Sequence, residues 1–215
     1  MGLKFNTTYT EENIKTLRYG SLMIMADQDH DGSHIKGLVI NFIHHFWPSL
    51  LDVRGFLKQF ITPIVKCTKG KKSEAFFTLP EYEAWKESTG NDTKGWTIKY
   101  YKGLGTSTSS EAKEYFSNLN IHEISFNEIG DDHVSGLDDE MKEEESRNVI
   151  NTGASLIEMA FSKSKVEARK WWLSCVKKDT FIDYRKSRKN GINYSDFINL
   201  ELVLFSQYDT IRLIP

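Results

Sequence analysis

The spacing of apolar residues changes several times along the chain, and each change marks an element. Leu22 to Ala26 is a short continuous apolar run between polar ends, the pattern of a buried strand. From Ser33 to Trp47 the period lengthens. Ile35, Leu38, Val39, Phe42, Ile43 and Phe46 recur at helical spacing, which predicts a helix with these six on its buried face and Pro48 at its end. Upstream, "TEENIKTLRYG" predicts a short helix capped by Thr10 and stopped by Gly20. Downstream, "FITPIVKCT" and "EAFFTLP" read as two strands joined by the basic turn "KGKKS". "PEYEAWKEST" predicts a helix opened by Pro80, and "GWTIKYYKG" another strand. In "STSSEAKEYFSNL", Thr108 and Glu111 have capping-box spacing at a helix start. "ASLIEMAFSKSKVEARKWWLSCV" is helical with a polar break near Ser162, and "YSDFINLELVLFSQYD" is a final helix. Strands alternating with helices predict an α/β layered fold.

Composition narrows this picture only slightly. The 215 residues are 39% hydrophobic, ample for a buried core, and no apolar run is long enough to span a bilayer. The N-terminus lacks a signal-peptide pattern. Cys67 and Cys175 have no partners at zinc spacing and read as reduced packing residues of a nuclear or cytosolic protein. Charge matters more. Between Asn127 and Arg147 nine acids stand against two bases, a balance of −7, so the rest of the chain carries +5 within a net charge of −2. The near-neutral total therefore hides a basic remainder that suits a polyanionic partner. The acidic stretch over 127–150 reads as a solvated loop.

The densest chemistry is "ADQDHDGSHIKG", where Asp27, Asp29 and Asp31 follow the first strand at alternate positions. Three carboxylates at this spacing repel unless a cation sits among them. An EF-hand loop begins similarly, but its twelfth position would be Leu38 instead of a bidentate Glu, and the preceding segment reads as strand. An acidic turn bonding its own backbone amides is the plainer alternative. Hard carboxylate oxygens at the C-terminal end of a strand, with no Cys or His set, point to Mg²⁺ and phosphoryl chemistry. His30 and His34 flank the turn as outer residues.

A second stretch, "YYKGLGTSTSSEAKEYF", follows a strand and opens a helix. Gly103 and Gly105 allow close backbone approach, helix-start amides point outward, and Lys102 adds positive charge. This is a phosphate-binding arrangement, though without Walker or Rossmann spacing.

Taken together, "DQDHDGSHIKGL", "FIHHFWPSLL", "FITPIVK" and "YYKGLGTST" resemble the TOPRIM domain of eukaryotic-type DNA topoisomerase II. "AFSK", "EARKWWL", "YSDFIN" and "ELVLFS" resemble the segment that leads from it into the winged-helix domain. The resemblance implies an α/β fold: a TOPRIM (Rossmann-like) sheet with flanking helices, present in part, followed by a mainly helical C-terminal segment. It divides the chain into the C-terminal part of TOPRIM (1–126), the acidic loop (127–150) and the helical segment (151–215). It implies Mg²⁺ at Asp27 and Asp29, with Asp31 in a more indirect role. It implies DNA contacts at Lys36, at Arg169 and Lys170, and along Lys102, Gly103, Thr106 and Ser107. The family cleaves, passes and reseals double-stranded DNA as a nuclear homodimer, with ATP bound outside the present residues. The resemblance also implies a fragment. The family's "EGDSA" glutamate and nucleophilic tyrosine are not among these residues, so the chain alone is expected neither to cleave nor to relax DNA, and to hold Mg²⁺ weakly. A different TOPRIM enzyme (a primase or nuclease) and a non-catalytic metal or DNA-binding module are the rival readings.

Overall fold

The computed structural model describes residues 1–101, 103–127, 129, 152–175 and 181–206. Strand β1 (Leu22–Met25) runs parallel to β2 (Leu57–Phe60), with Leu22 opposite Leu57 and Met25 opposite Phe60. Helix α1 (His30–Phe46) is the crossover that a parallel pair requires. A short 3₁₀ turn, Ile14–Thr16, stands where the sequence predicts a helix capped by Thr10. There the Asn13 side chain accepts from the Thr10 amide and closes a tighter turn.

A second sheet lies beside the first. Strands β3 (Val65–Lys69) and β4 (Lys72–Phe76) form a hairpin. Gly70, at φ 59°, supplies the left-handed residue of its two-residue turn. Helix α2 (Leu79–Ser88) follows, and β5 (Thr97–Tyr100) pairs with β3 on its other side. This sheet has its own small core of Val65, Cys67, Phe76 and Tyr82, with Trp85 and Trp96 packed against it. The single strand expected over "FITPIVKCT" is therefore two strands in two sheets. Pro63 breaks it, because proline brings no amide to a ladder.

Helix α3 (Ser109–Ser117) and the short α4 (Leu119–His122) lead into β6 (Glu123–Ser125), which pairs antiparallel with β2. At three residues, β6 is too short to show an alternating pattern. The C-terminal part is helical: α5 (Gly153–Phe161), α6 (Val166–Cys175), α7 (Tyr184–Asn190) and α8 (Tyr194–Asp196), which continues as a π-helical stretch over Phe197–Leu202. Beyond the buried Tyr184, α7 is polar and has no apolar period to announce it. The main core joins Ile40, Leu50, Phe56 and Ile124 to Leu156, Trp172, Phe197 and Val203. Phe126 bridges to Ile192 and stacks on Tyr194 at 5.1 Å. Packing therefore runs across the boundary expected near residue 150. Apart from Asn127 and Ile129, the acidic stretch itself lies outside the described residues. Among the described residues no helix is long and apolar enough to cross a membrane.

Helix α1 corrects the sequence reading twice. It starts at His30, three residues early, with Asp29 as its N-cap. It is also turned away from the predicted face. Ile43 is buried and Val39 half-buried, but Ile35, Leu38, Phe42 and Phe46 are exposed. The buried face carries Gly32, Ser33, Lys36, Gly37, Ile40 and Ile43. Close approach decides the matter. A Cβ on Gly37 would stand 2.9 Å from Phe161 and 3.0 Å from Leu202, so only the small-residue face admits the C-terminal helices. A consequence follows for stability. Leu38, 47% exposed, should tolerate Ala within about 0.5 kcal/mol. Ile40→Ala, at a position 0% exposed, should cost about 2–5 kcal/mol. Urea denaturation of the two variants checks the order, and equal costs would contradict this orientation of α1.

Candidate metal and DNA site

β1 ends at Met25, and the three aspartates follow it directly. Asp29 is extended, and its Oδ1 accepts from the Gly32 amide at 2.8 Å, which caps α1. Asp31 lies exposed in the first turn of α1, where the helix dipole favours negative charge. A Cβ on Gly32 would fall 1.9 Å from the Asp27 carbonyl oxygen, so the turn closes this tightly only with glycine there. One of the three acids thus does bond its own backbone, as the plainer sequence reading allows.

The second loop lies on the first. Gly103, at φ +89°, packs so closely that a Cβ would stand 2.4 Å from Asp27 Oδ2. Thr106 donates its hydroxyl to the Gly103 carbonyl at 2.7 Å, within the short turn Leu104–Thr106. Ser107 is half-buried and leads to Thr108, the α3 N-cap. Lys102 lies outside the described residues.

Glu111 clamps this loop at both ends. Its carboxylate accepts from the Thr108 amide at 2.7 Å, the Tyr101 hydroxyl at 2.5 Å and the Lys99 ammonium at 3.0 Å. The sequence shows only the capping box, which the structure contains. Burial alone would raise the Glu111 pKa. The bonds from Thr108, Tyr101 and Lys99 together outweigh it and bring the carboxyl down from 4.5 to about 2. The Tyr101 hydroxyl is held well above its ordinary range, first by burial and then by its bond to Glu111. A depressed carboxyl adds stability that is present above its unfolded pKa and lost as pH falls through the folded one. Thermal melts from pH 4.5 down to 2 should therefore fall more steeply for the wild type than for Glu111→Gln. Parallel curves would count against the clamp.

Beneath the acidic turn lies a buried polar network that the sequence does not announce. Gln28, between two of the aspartates, donates from Nε2 to the Tyr184 hydroxyl at 2.8 Å. Tyr184 donates to Glu201 Oε2 at 2.7 Å. Ser33 Oγ reaches Glu201 Oε1 at 3.0 Å, and the Lys36 ammonium forms an ion pair with the same oxygen. Lys36 also donates to Gln59 Oε1 at 3.1 Å. Lys36, expected as a DNA contact, is held inside the fold in this structure. At 1% exposure its charge is turned inward to Glu201.

Arg169 and Lys170 are likewise engaged within the fold. Arg169 Nη1 donates to the carbonyls of Met159 at 2.9 Å and Ser162 at 2.5 Å, closing the C-terminal end of α5. Lys170 is exposed and pairs with Glu167 at 2.9 Å. Both line a cleft of about 310 Å³ with His34, which stacks on Phe205 at 4.1 Å. The structure therefore brings Asp27 and the Gly103 loop together. It places Arg169 and Lys170 in a cleft that His34, from the first turns of α1, also lines.

Among the described residues no three His, Cys, Asp or Glu side chains are grouped to hold a metal. Mg²⁺ commonly takes only one or two protein carboxylates, with waters and substrate phosphates completing its shell. Asp27, half-buried against a loop that needs glycine at position 103, and the exposed Asp29 fit such a partial site.

Comparison with known proteins agrees with the sequence motifs. DNA topoisomerase 2 of Arabidopsis thaliana is 54% identical over 217 residues, and human DNA topoisomerase 2-alpha is 48% identical over 230. Each alignment covers all of this chain but 13% of the relative. A solved Plasmodium falciparum structure, of the topoisomerase II DNA-binding, cleavage and re-ligation domain, superposes with a TM-score of 0.81 at 48% identity. It covers the whole chain and 26% of that structure. Residues 60–210 match the family model described as the C-terminal associated domain of TOPRIM, and with well over half its length inside that match the chain belongs to this family.

Proposed function

We propose that the chain is the part of an ATP-dependent type II DNA topoisomerase that presents metal-binding acids and polar backbone to the scissile region of double-stranded DNA. The observation that carries this reading is the Asp27 carboxylate seated against the Gly103 loop, at a strand end in a chain with topoisomerase II relatives. Asp27 and Asp29 would hold Mg²⁺, which when bound stabilises negative charge developing on a DNA phosphate. The chain's own residues do the rest. The Gly103 to Ser107 loop offers backbone groups at close range, the α1 N-terminus favours the anionic end of the site, and Glu111 fixes the loop's ends. Nuclear location, homodimeric assembly and ATP binding outside this chain belong to the same proposal. The extended likeness to topoisomerase 2 supports it over another TOPRIM enzyme or a non-catalytic module. The test is a plasmid cleavage assay on the full-length protein carrying Asp27→Ala. Cleavage at the wild-type level would overturn the reading.

A further inference from the structure

The acidic turn is fixed in space by residues far from it in sequence. We infer that Tyr184 and Gln28 are positioning residues for Asp27 and Asp29, anchoring the turn to Glu201 on the C-terminal helix. The inference rests on the reading of those acids as Mg²⁺ ligands.

Gln28 sits between the two acids, so its side chain and their backbone move together. Its Nε2 donates to Tyr184, and its Oε1 is buried without a hydrogen-bond partner among the described residues. The Tyr184 bond is thus what orients this amide. Tyr184 is 2% exposed, and its hydroxyl is used in both directions, accepting from Gln28 and donating to Glu201. Glu201 is pinned in turn by Lys36 and by Ser33, whose hydroxyl also lies 3.1 Å from the Asp29 carbonyl. The C-terminal helix therefore grips the turn at two points: through Tyr184 to Gln28, and through Ser33 to the start of α1. Glu201 projects from the π-helical stretch, a backbone form often retained at functional sites. Groups that orient metal-binding side chains without touching the metal commonly change its affinity 10- to 100-fold when removed.

The experiment uses the full-length protein and two variants. Tyr184→Phe keeps the ring and its packing while removing the hydroxyl. Gln28→Ala removes the amide at a half-buried position without touching the core. Both should raise the Mg²⁺ concentration for half-maximal plasmid cleavage by about 10-fold, with cleavage recovering at saturating Mg²⁺. Mn²⁺ binding followed by electron paramagnetic resonance should weaken by a similar factor, independently of cleavage. Wild-type Mn²⁺ affinity in both variants would overturn the inference, as would a fall in cleavage at all Mg²⁺ concentrations with an unmoved midpoint. Asp27→Ala, run alongside, separates the two levels. If it loses Mn²⁺ binding while Tyr184→Phe and Gln28→Ala do not, only the positioning role fails. If it retains both binding and cleavage, the metal reading itself fails.

Discussion

In the full-length protein, Asp27→Ala should lower Mg²⁺-dependent DNA cleavage by about 10²- to 10³-fold while ATP hydrolysis largely persists. The magnitude is what removal of one preorganised electrostatic group typically costs in a reaction that builds charge on oxygen. The geometry ranks the three acids. Asp27 is half-buried, with its carboxylate packed against Gly103. Asp29 has one oxygen engaged in capping α1, and Asp31 is exposed in the helix's first turn. Asp29→Asn is the informative comparison. Asparagine caps a helix about as well as aspartate, so the fold should be unaffected and only the charge is removed. Asp29→Ala would add a capping loss of about 1 kcal/mol and confuse the two effects. The expected order of cleavage loss is Asp27 first, Asp29 next and Asp31 least, read from plasmid linearisation beside an ATPase assay. A variant at Asp31 that loses more than one at Asp27 would show that the turn faces its substrate differently.

What the sequence shows of this site is what is local in sequence. The run from Leu22 to Ala26, the aspartates and Gly32 lie within eleven residues, so strand, turn and helix start are visible together. Thr108 and Glu111 lie three apart and declare their capping box. The two loops are recognisable one by one, but the contact between Asp27 and Gly103 is seen only in the structure. What is hidden depends on distant partners. The buried face of α1 differs from the apolar stripe because the residues that decide it, Gly32 and Gly37, carry no hydrophobic signal. Gly37 matters because Phe161 and Leu202 approach it, and Gly32 because the Asp27 carbonyl does. Gln28 is masked by the aspartates around it, Tyr184 sits in a segment with no motif of its own, and the stretch "ELVLFS" that opens at Glu201 does not declare its partner. Lys36 is a further case of a long-range partner. A matched position conveys residue type, but its surroundings here are set by Glu201, 165 residues away.

The buried pair of Lys36 and Glu201 also provides the largest expected effect on stability. Lys36→Met should cost about 3–5 kcal/mol, because removing one member of a buried pair leaves the other charged and out of water. Lys36 is 1% exposed and Glu201 7%, so neither charge can recover its hydration without opening the packing between α1 and the C-terminal helix. The two single variants should differ. After Lys36→Met, Glu201 still accepts from Ser33 and Tyr184. After Glu201→Leu, Lys36 keeps only the Gln59 carbonyl oxygen and Tyr184 loses its acceptor, so this variant should be the less stable. The double variant should recover much of the loss, since an apolar pair of similar volume often replaces a buried ion pair at little cost. Denaturant unfolding of the three variants, arranged as a double-mutant cycle, measures the coupling. The same variants separate the structural role from the DNA contact that the resemblance implies. A phosphate-binding lysine would leave stability unchanged while weakening DNA affinity and lowering its salt dependence by about one ion. Inward pairing requires the reverse. Stability should fall steeply, and whatever DNA binding survives in the folded fraction should keep its wild-type salt slope.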